Sequence, residues 1–473
     1  MTRNRSKKYL RSSGLVALIA LALVLIGDAA WAVRIHNPRR PWVAVRLVNT
    51  VPIPVASTNT TGGMYSFDIS FVDRTTGTYY LADRSNKAVN IVVAETFVTQ
   101  LTGGFAGFVP CNPPAGANDC AGPNGVATSA NCLFVTDAPS RVVSFNKTTL
   151  TLVSSIHTDP TEPTRADELA VDPRDSLILA INNAASPPFG TLITFDPTSC
   201  ALVPPDPVAN RIIFDAAHGV DATDGAEQPV WDPGTQKFYL SIPEISGDGS
   251  TNLHGAVLRI APTGAVEALY PVDFCGPAGL AVGPNEQLLV GCNTVFDEFG
   301  NKWTGNADRA TNTAAPQYVV LDAVTGNVVA NILGVGVGDE VWFNPGDGHY
   351  YTAASGSPLA PNAITPARPP KGTAEKAPAL TAQGAAILGV IDASSNTLDQ
   401  LVPTLNVPAV VAPHVNPHPA GTAHSVAANA QTNRVFVPLA ANNVFPDCLT
   451  GCIAVYAAGD EDAVTKPKVP GSR

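Results

Sequence analysis

An all-β, seven-bladed β-propeller of four-stranded blades is the fold this sequence predicts, and three observations carry the prediction. A two-strand phrase recurs seven times, most copies are followed by a third and a fourth strand, and the two ends of the array are incomplete in complementary ways. The phrase is plainest in "DELAVDPRDSLILAINN" (167–183) and "DEVWFNPGDGHYYTAAS" (339–355). Each starts on an acid, runs through a short apolar strand to an Asp or Asn, turns, and continues as a strand of aromatic and β-branched residues. The other copies begin at Phe67, Pro123, Glu227, Pro277 and His424.

The elements follow in order. Residues 1–32 read as a signal peptide: the basic "MTRNRSKKYLRSS", the apolar "GLVALIALALVLIG", and Ala30 and Ala32 as small residues before a cleavage point. That apolar run is shorter than the ~20 residues a spanning helix needs, and no later run is long enough. "VAVRLVNTVPIP" (43–54) is a strand with no unit of its own, whereas the seventh unit ends at its third strand, "CIAVYAAG". An unpaired edge invites aggregation, so the N-terminal strand is expected to complete the last blade and close the ring. The propeller then spans 33–459, and 460–473 form a disordered tail. Three longer stretches break the repeat: 294–316, the Pro/Ala-rich 356–384, and 407–420, which carries His414 and His418.

Composition narrows the function classes. The net charge is −11, and removal of the leader, with five basic residues and one acid, takes it to −15. Such a surface argues against nucleic acid or anionic lipid as a partner. All eight cysteines lie after the leader, which fits a periplasmic or secreted protein. Proximity pairs Cys111–Cys120, Cys275–Cys292 and Cys448–Cys452, leaving Cys132 with Cys200. There is no CxxCH for covalent haem, and no GxSxG, Walker loop or dinucleotide fingerprint.

First strands of propeller blades line the central axis, so their starting residues should meet at one mouth. Those positions are Asp68, Asn124, Asp167, Glu227, Ala278, Asp339 and His424. Four carboxylates in a narrow ring repel unless some are protonated or a cation lies among them. Oxygen-rich ligation suits Ca²⁺ or Mg²⁺ first, with Mn²⁺ and Zn²⁺ as further candidates, and Asp68, Asn124, Asp167, Glu227, Asp339 and His424 as ligands. The plainer alternative is a water-filled tunnel whose polar residues satisfy backbone groups. Strand alternation should send only one of two registers to the mouth, and the other (Ile69, Gly125, Glu168, Gln228, Gly279, Glu340, Ser425) is less uniformly polar. Asp73, Asp172, Asp232, Asn344 and Asn429 are expected to serve turns, and Trp231 and Trp342 the inter-blade core. His424 could join His414 and His418 around a metal, or act alone as a general base. His36, His157, His218, His254 and His349 read as ordinary surface or turn residues.

Two resemblances rest on particular residues. "YYLADRSNKAVNIV" (79–92) and "NRVFVPLAAN" (433–442) are similar to the YncE/YVTN-type exported seven-bladed propellers. "AEQPVWD" (226–232), "PNGVA" (123–127) and "ADELAVD" (166–172) resemble motifs of the gluconolactonase/regucalcin family. That second resemblance implies Glu227 and Asn124 as metal ligands and Asp167 as a ligand that also accepts a proton. It has departures: that family has six blades, and Glu168 stands where its motif has Gly. Two functions are therefore expected. One is a non-catalytic binding or scaffold role at the envelope or outside the cell, toward a small molecule or an envelope or extracellular protein. The other is a divalent-metal-dependent lactone or ester hydrolase, with Asp167 or His424 as base.

Overall fold

The computed structural model describes residues 44–107, 117–222, 224–245, 254–297, 299–300, 317–356, 386–404, 424–442 and 445–458. Residues 1–32 and 460–473, read above as signal peptide and tail, most of the three longer stretches, and His414 and His418 lie outside the described residues.

Strand β1 (Val45–Pro52) comes first and belongs to the last blade. Blade one contains β2 (Ser70–Val72), β3 (Tyr79–Asp83), β4 (Ala88–Val93) and β5 (Thr96–Thr102). Blade two contains β6 (Val126–Thr128), β7 (Cys132–Asp137), β8 (Arg141–Asn146) and β9 (Leu152–His157). Blade three contains β10 (Leu169–Asp172), β11 (Leu177–Asn182), β12 (Phe189–Thr194) and β13 (Arg211–Ile213). Blade four contains β14 (Pro229–Asp232), β15 (Lys237–Ile242), β16 (His254–Ile260) and β17 (Val266–Asp273). Blade five contains β18 (Cys275–Val282), β19 (Gln287–Val295), β20 (Gln317–Asp322) and β21 (Val328–Leu333), and one parallel bridge, His254 to Cys275, joins it to blade four. Blade six contains β22 (Val337–Asn344), β23 (His349–Gly356), β24 (Ile387–Asp392) and β25 (Thr397–Pro403). Blade seven contains β26 (Ala427–Asn429), β27 (Arg434–Leu439), β28 (Cys452–Ala458) and β1. The seven-bladed fold expected from the repeat is therefore present.

Each blade is an antiparallel meander whose middle strands are buried on both faces. That is why β3, β7 and β15 read as nearly unbroken apolar and aromatic runs rather than alternating ones. The outermost strands β5 and β9 run mostly between exposed and half-buried positions, as solvated edges do. Apolar clusters lie between neighbouring blades; Tyr351 and Leu388 of blade six, for instance, pack with Val435 and Tyr456 of blade seven.

The Asx residues at the ends of first strands serve the turns, as expected. Asp73 accepts from the Thr75 backbone N–H at 2.8 Å, Asp172 from Arg174 at 2.9 Å, Asp232 from Gly234 at 2.9 Å, Asn344 from Gly346 at 3.1 Å and Asn429 from Gln431 at 2.8 Å. Three disulfides match the proximity pairing: Cys132–Cys200, Cys275–Cys292 and Cys448–Cys452. Cys120 is also disulfide-bonded, and Cys111 lies outside the described residues.

Blade seven is built from both chain ends, because β1 pairs antiparallel with β28 from Val45–Ala458 to Pro52–Cys452. Val45, Leu47 and Val51 of β1 are buried. Deleting residues 1–53 exposes the β28 edge and removes these three side chains, each worth about 1.5–3 kcal/mol when buried. The truncated chain is expected to lose about 5 kcal/mol or more and to self-associate. Urea denaturation and size-exclusion chromatography check this, and a monomer of unchanged midpoint would contradict it.

Candidate functional site

Residues just before the first strands come together at one end of the central axis. Residues after the second strands lie at the same end, because a meander returns the chain to the same face. Asp68 and Asp167 thereby meet two arginines, Arg84 from the turn after β3 and Arg165 from the approach to β10. Arg84 makes an ion pair with Asp68. It also donates from Nε to Asn124 Oδ1 at 2.8 Å and from Nη1 to Asn118 Oδ1 at 2.6 Å, with Asp167 Oδ1 3.9 Å from its Nη2. Arg165 donates from Nη2 to Asp167 Oδ2 at 2.8 Å and from Nη1 to the Asn118 carbonyl at 3.0 Å. Both arginines, Asp68, Asn124 and Asp167 are buried.

His424 bridges two blades. Its Nε2 lies 2.8 Å from Asp68 Oδ1 and its Nδ1 2.8 Å from Asp339 Oδ2, while 39 % of its side-chain surface stays accessible. Burial opposes charge on the ring, but Asp339 and Asp68 outweigh it and hold the imidazole protonated well above its ordinary value. Burial would also raise the Asp68 pKa, but Arg84 and then His424 overcome that and keep it far below the usual range.

The remaining acids are shifted the other way. Burial raises Asp167 to about 6, with Arg165 pulling against it and Asp68 reinforcing it. Burial, then Asp167 and Asp339, raise Glu227 to about 8, so it is largely a neutral acid at pH 7. Ala278 is buried, and its carbonyl accepts from the Gln228 N–H at 3.4 Å.

Strand alternation does not separate the two registers, which corrects the expectation that only one reaches the axis. At 68–69, 167–168 and 227–228 two residues oppose one, the first through its N–H and the second through its carbonyl (Asp167 and Glu168 both to Ile181, for instance), so each pair is a β-bulge at which alternation breaks. Glu168 and Gln228 line a central cavity of about 310 Å³. Below them its walls are largely apolar, including Phe71, Val171, Val230, Trp231, Trp342 and Phe343, and Arg74, Pro173 and Pro233 mark its far end at the turns between first and second strands. Trp231 and Trp342 thus serve both the inter-blade core and the channel wall; Trp342 packs edge-on against Phe71 with centroids 5.3 Å apart.

A divalent ion does not fit the ring as these residues are arranged. Asn124 Oδ1 accepts from Arg84, and its NH₂ donates to the Ala121 and Ala166 carbonyls at 3.0 and 2.9 Å. Both nitrogens of His424 face carboxylates, so it offers no lone pair. Guanidinium groups stand where an ion would have to be. Among the described residues, the group able to hold a metal ion is instead His349, Asp392 and Asp399 on blade six. His349 Nε2 lies 3.3 Å from Asp399 Oδ2, its Nδ1 lies 3.5 Å from Asp347 Oδ1, and its backbone pairs with Asp392 in the β23–β24 ladder. Read from the sequence as an ordinary residue, His349 joins this group only because β23, β24 and β25 align. Arg84 and Arg165 also escaped the sequence reading, although Arg84 lies inside the recurring phrase and Arg165 two residues before Asp167.

Fold and site together define a seven-bladed propeller with an internally paired polar ring above an apolar channel. No protein-family model matches this chain, and no curated protein sequence is similar to it. The disulfides fit an oxidising, extracytoplasmic environment, and no helix among the described residues is long and apolar enough to cross a membrane.

Proposed function

We propose that this is an exported binding protein that holds a small, largely apolar molecule in its central channel. A propeller of this kind fits binding, scaffolding or catalysis. The observation that carries the binding reading is the channel itself: about 310 Å³, walled by aromatic and aliphatic side chains, with a few polar groups gathered at one end. The ring above it supports the same reading. Asp68, Asp167 and Asp339 are matched by Arg84, Arg165 and protonated His424, so the ring has no charge left for a metal to neutralise. Of the two bases considered for a hydrolase, His424 has no free lone pair in this arrangement, and Asp167, whose Oδ1 has no hydrogen-bond partner, is buried and held by Arg165. The leader-like N-terminus and the likeness to YncE/YVTN-type propellers support export.

Fluorescence titration with N-phenyl-1-naphthylamine, an uncharged apolar probe, tests the reading. Saturable binding of one probe per chain is expected, lost in Val171→Trp and Val230→Trp, which fill the channel from neighbouring blades. Circular dichroism checks that each variant folds. No binding by wild type, or equal binding by both folded variants, would contradict the proposal.

A further inference from the structure

Two buried carboxyl groups near the inner end of the channel are not used by the ring: Glu168 lines it, and Glu340 directly precedes the lining residue Val341. Glu168, on blade three, is 7 % exposed, lines the cavity, and makes no side-chain hydrogen bond to any described residue. Glu340, on blade six, is 2 % exposed; its Oε2 accepts from the Val426 N–H at 3.2 Å, and its Oε1 is buried with no partner. Blades three and six stand on roughly opposite sides of a seven-membered ring, yet after burial itself the charge of Glu340 is the main influence raising Glu168. Glu168 therefore reaches toward the axis, at the head of the channel.

The charged groups around this pair are known. Asp167, Glu227 and Asp68 act on Glu168, and Asp68, Asp339 and His424 act on Glu340. Arg84 is committed to Asp68, Asn124 and Asn118, and Arg165 to Asp167 and the Asn118 carbonyl. The pair is rich in acceptor oxygens and short of donors, and burying such groups unpaired is costly. The walls just below are aromatic, including Trp342, Trp231 and Phe71, and suit both an apolar body and a nearby cation.

We infer that the channel's ligand is an amine whose ammonium group docks at Glu168 and Glu340, with its apolar body lying along the aromatic walls. This rests on the reading of the channel as a binding site. The ligand arrives as R–NH₃⁺, and a glutamate carboxylate accepts hydrogen bonds from the ammonium.

Isothermal titration at pH 7 with three molecules of one shape, 2-phenylethylamine, 2-phenylethanol and 3-phenylpropanoate, tests the inference. The amine is expected to bind at least about tenfold more tightly than the alcohol, a gap that one charged hydrogen bond supplies. Glu168→Gln should abolish the amine's advantage and leave the alcohol's affinity unchanged, and Glu340→Gln, checked for folding by its thermal midpoint, should reduce that advantage. If the alcohol or the carboxylate binds as well as the amine, the amine inference fails while the channel reading stands. If none binds and the apolar probe also fails, both fall. If Ca²⁺ or Mg²⁺ alone binds with the same dependence on Glu168, the pair is a metal site and the inference is overturned.

Discussion

Arg84→Leu is expected to destabilise the protein by about 3–5 kcal/mol, the typical cost of removing one partner from a buried ion pair. The guanidinium is 4 % exposed and serves Asp68, Asn124 and Asn118 at once, with Asp167 close by. Leucine leaves Asp68 paired directly with His424 alone, Arg165 acting on it without a direct ion pair, and strands the Asn124 carbonyl in a buried site. Arg84→Lys keeps the charge but loses the planar fork that reaches three partners, and is expected to cost roughly 1–3 kcal/mol. Urea denaturation at pH 7 measures both. A wild-type midpoint for Arg84→Leu would mean that something other than this arginine holds the acids together.

Thermal stability is expected to fall between about pH 4 and pH 8, the ordinary and shifted pKa values of the buried acids. Asp83, Asp137 and Asp167 are each raised to about 6, and Glu227 to about 8, in every case chiefly by burial. A group with a raised folded-state pKa binds a proton more tightly folded than unfolded. Its contribution is complete below the unfolded pKa and disappears as pH climbs through the folded one. His424 has the same sign in a higher window, complete below its ordinary 6.5 and lost as pH climbs through its raised value. Asp68 has the opposite sign, but its window lies below its ordinary 3.8. Differential scanning calorimetry should give a higher midpoint at pH 5 than at pH 8, with Glu227→Gln flattening the slope. A midpoint that rises steadily from pH 5 to pH 8 would show that these carboxyls are not buried as described.

The architecture was legible because the forces that build a propeller leave local marks. An Asx turn with its backbone hydrogen bonds, as at Asp172, and a doubly buried second strand, as at β11, repeat once per blade whatever the rest of the chain does. The composite seventh blade was legible too, since "VAVRLVNTVPIP" has strand chemistry but no neighbours in sequence to pair with. The site was only half legible. Aligning the phrases placed Asp68, Asn124, Asp167, Glu227, Asp339 and His424 at one end of the axis. It did not show what answers their charge, because Arg84 and Arg165 occur in one blade each and so carry no repeat signal. Glu168 and Glu340 were set aside by a strand-alternation argument that fails where the ladder bulges: Asp167 and Glu168 both oppose Ile181, and the β22 register shifts between Gly338 and Val341. The blade-six trio of His349, Asp392 and Asp399 is assembled by the register of three strands, which no single stretch of sequence encodes.

The decisive measurement is the metal content of the purified protein, taken together with its thermal midpoint before and after chelation, in wild type and in Asp399→Asn. If Arg84, Arg165 and His424 balance the ring, the Asp399→Asn protein should hold no stoichiometric divalent ion, and chelator should leave its midpoint unmoved. One tightly held ion that survives Asp399→Asn, disappears in Glu227→Gln, and takes stability with it when chelated would contradict that balance.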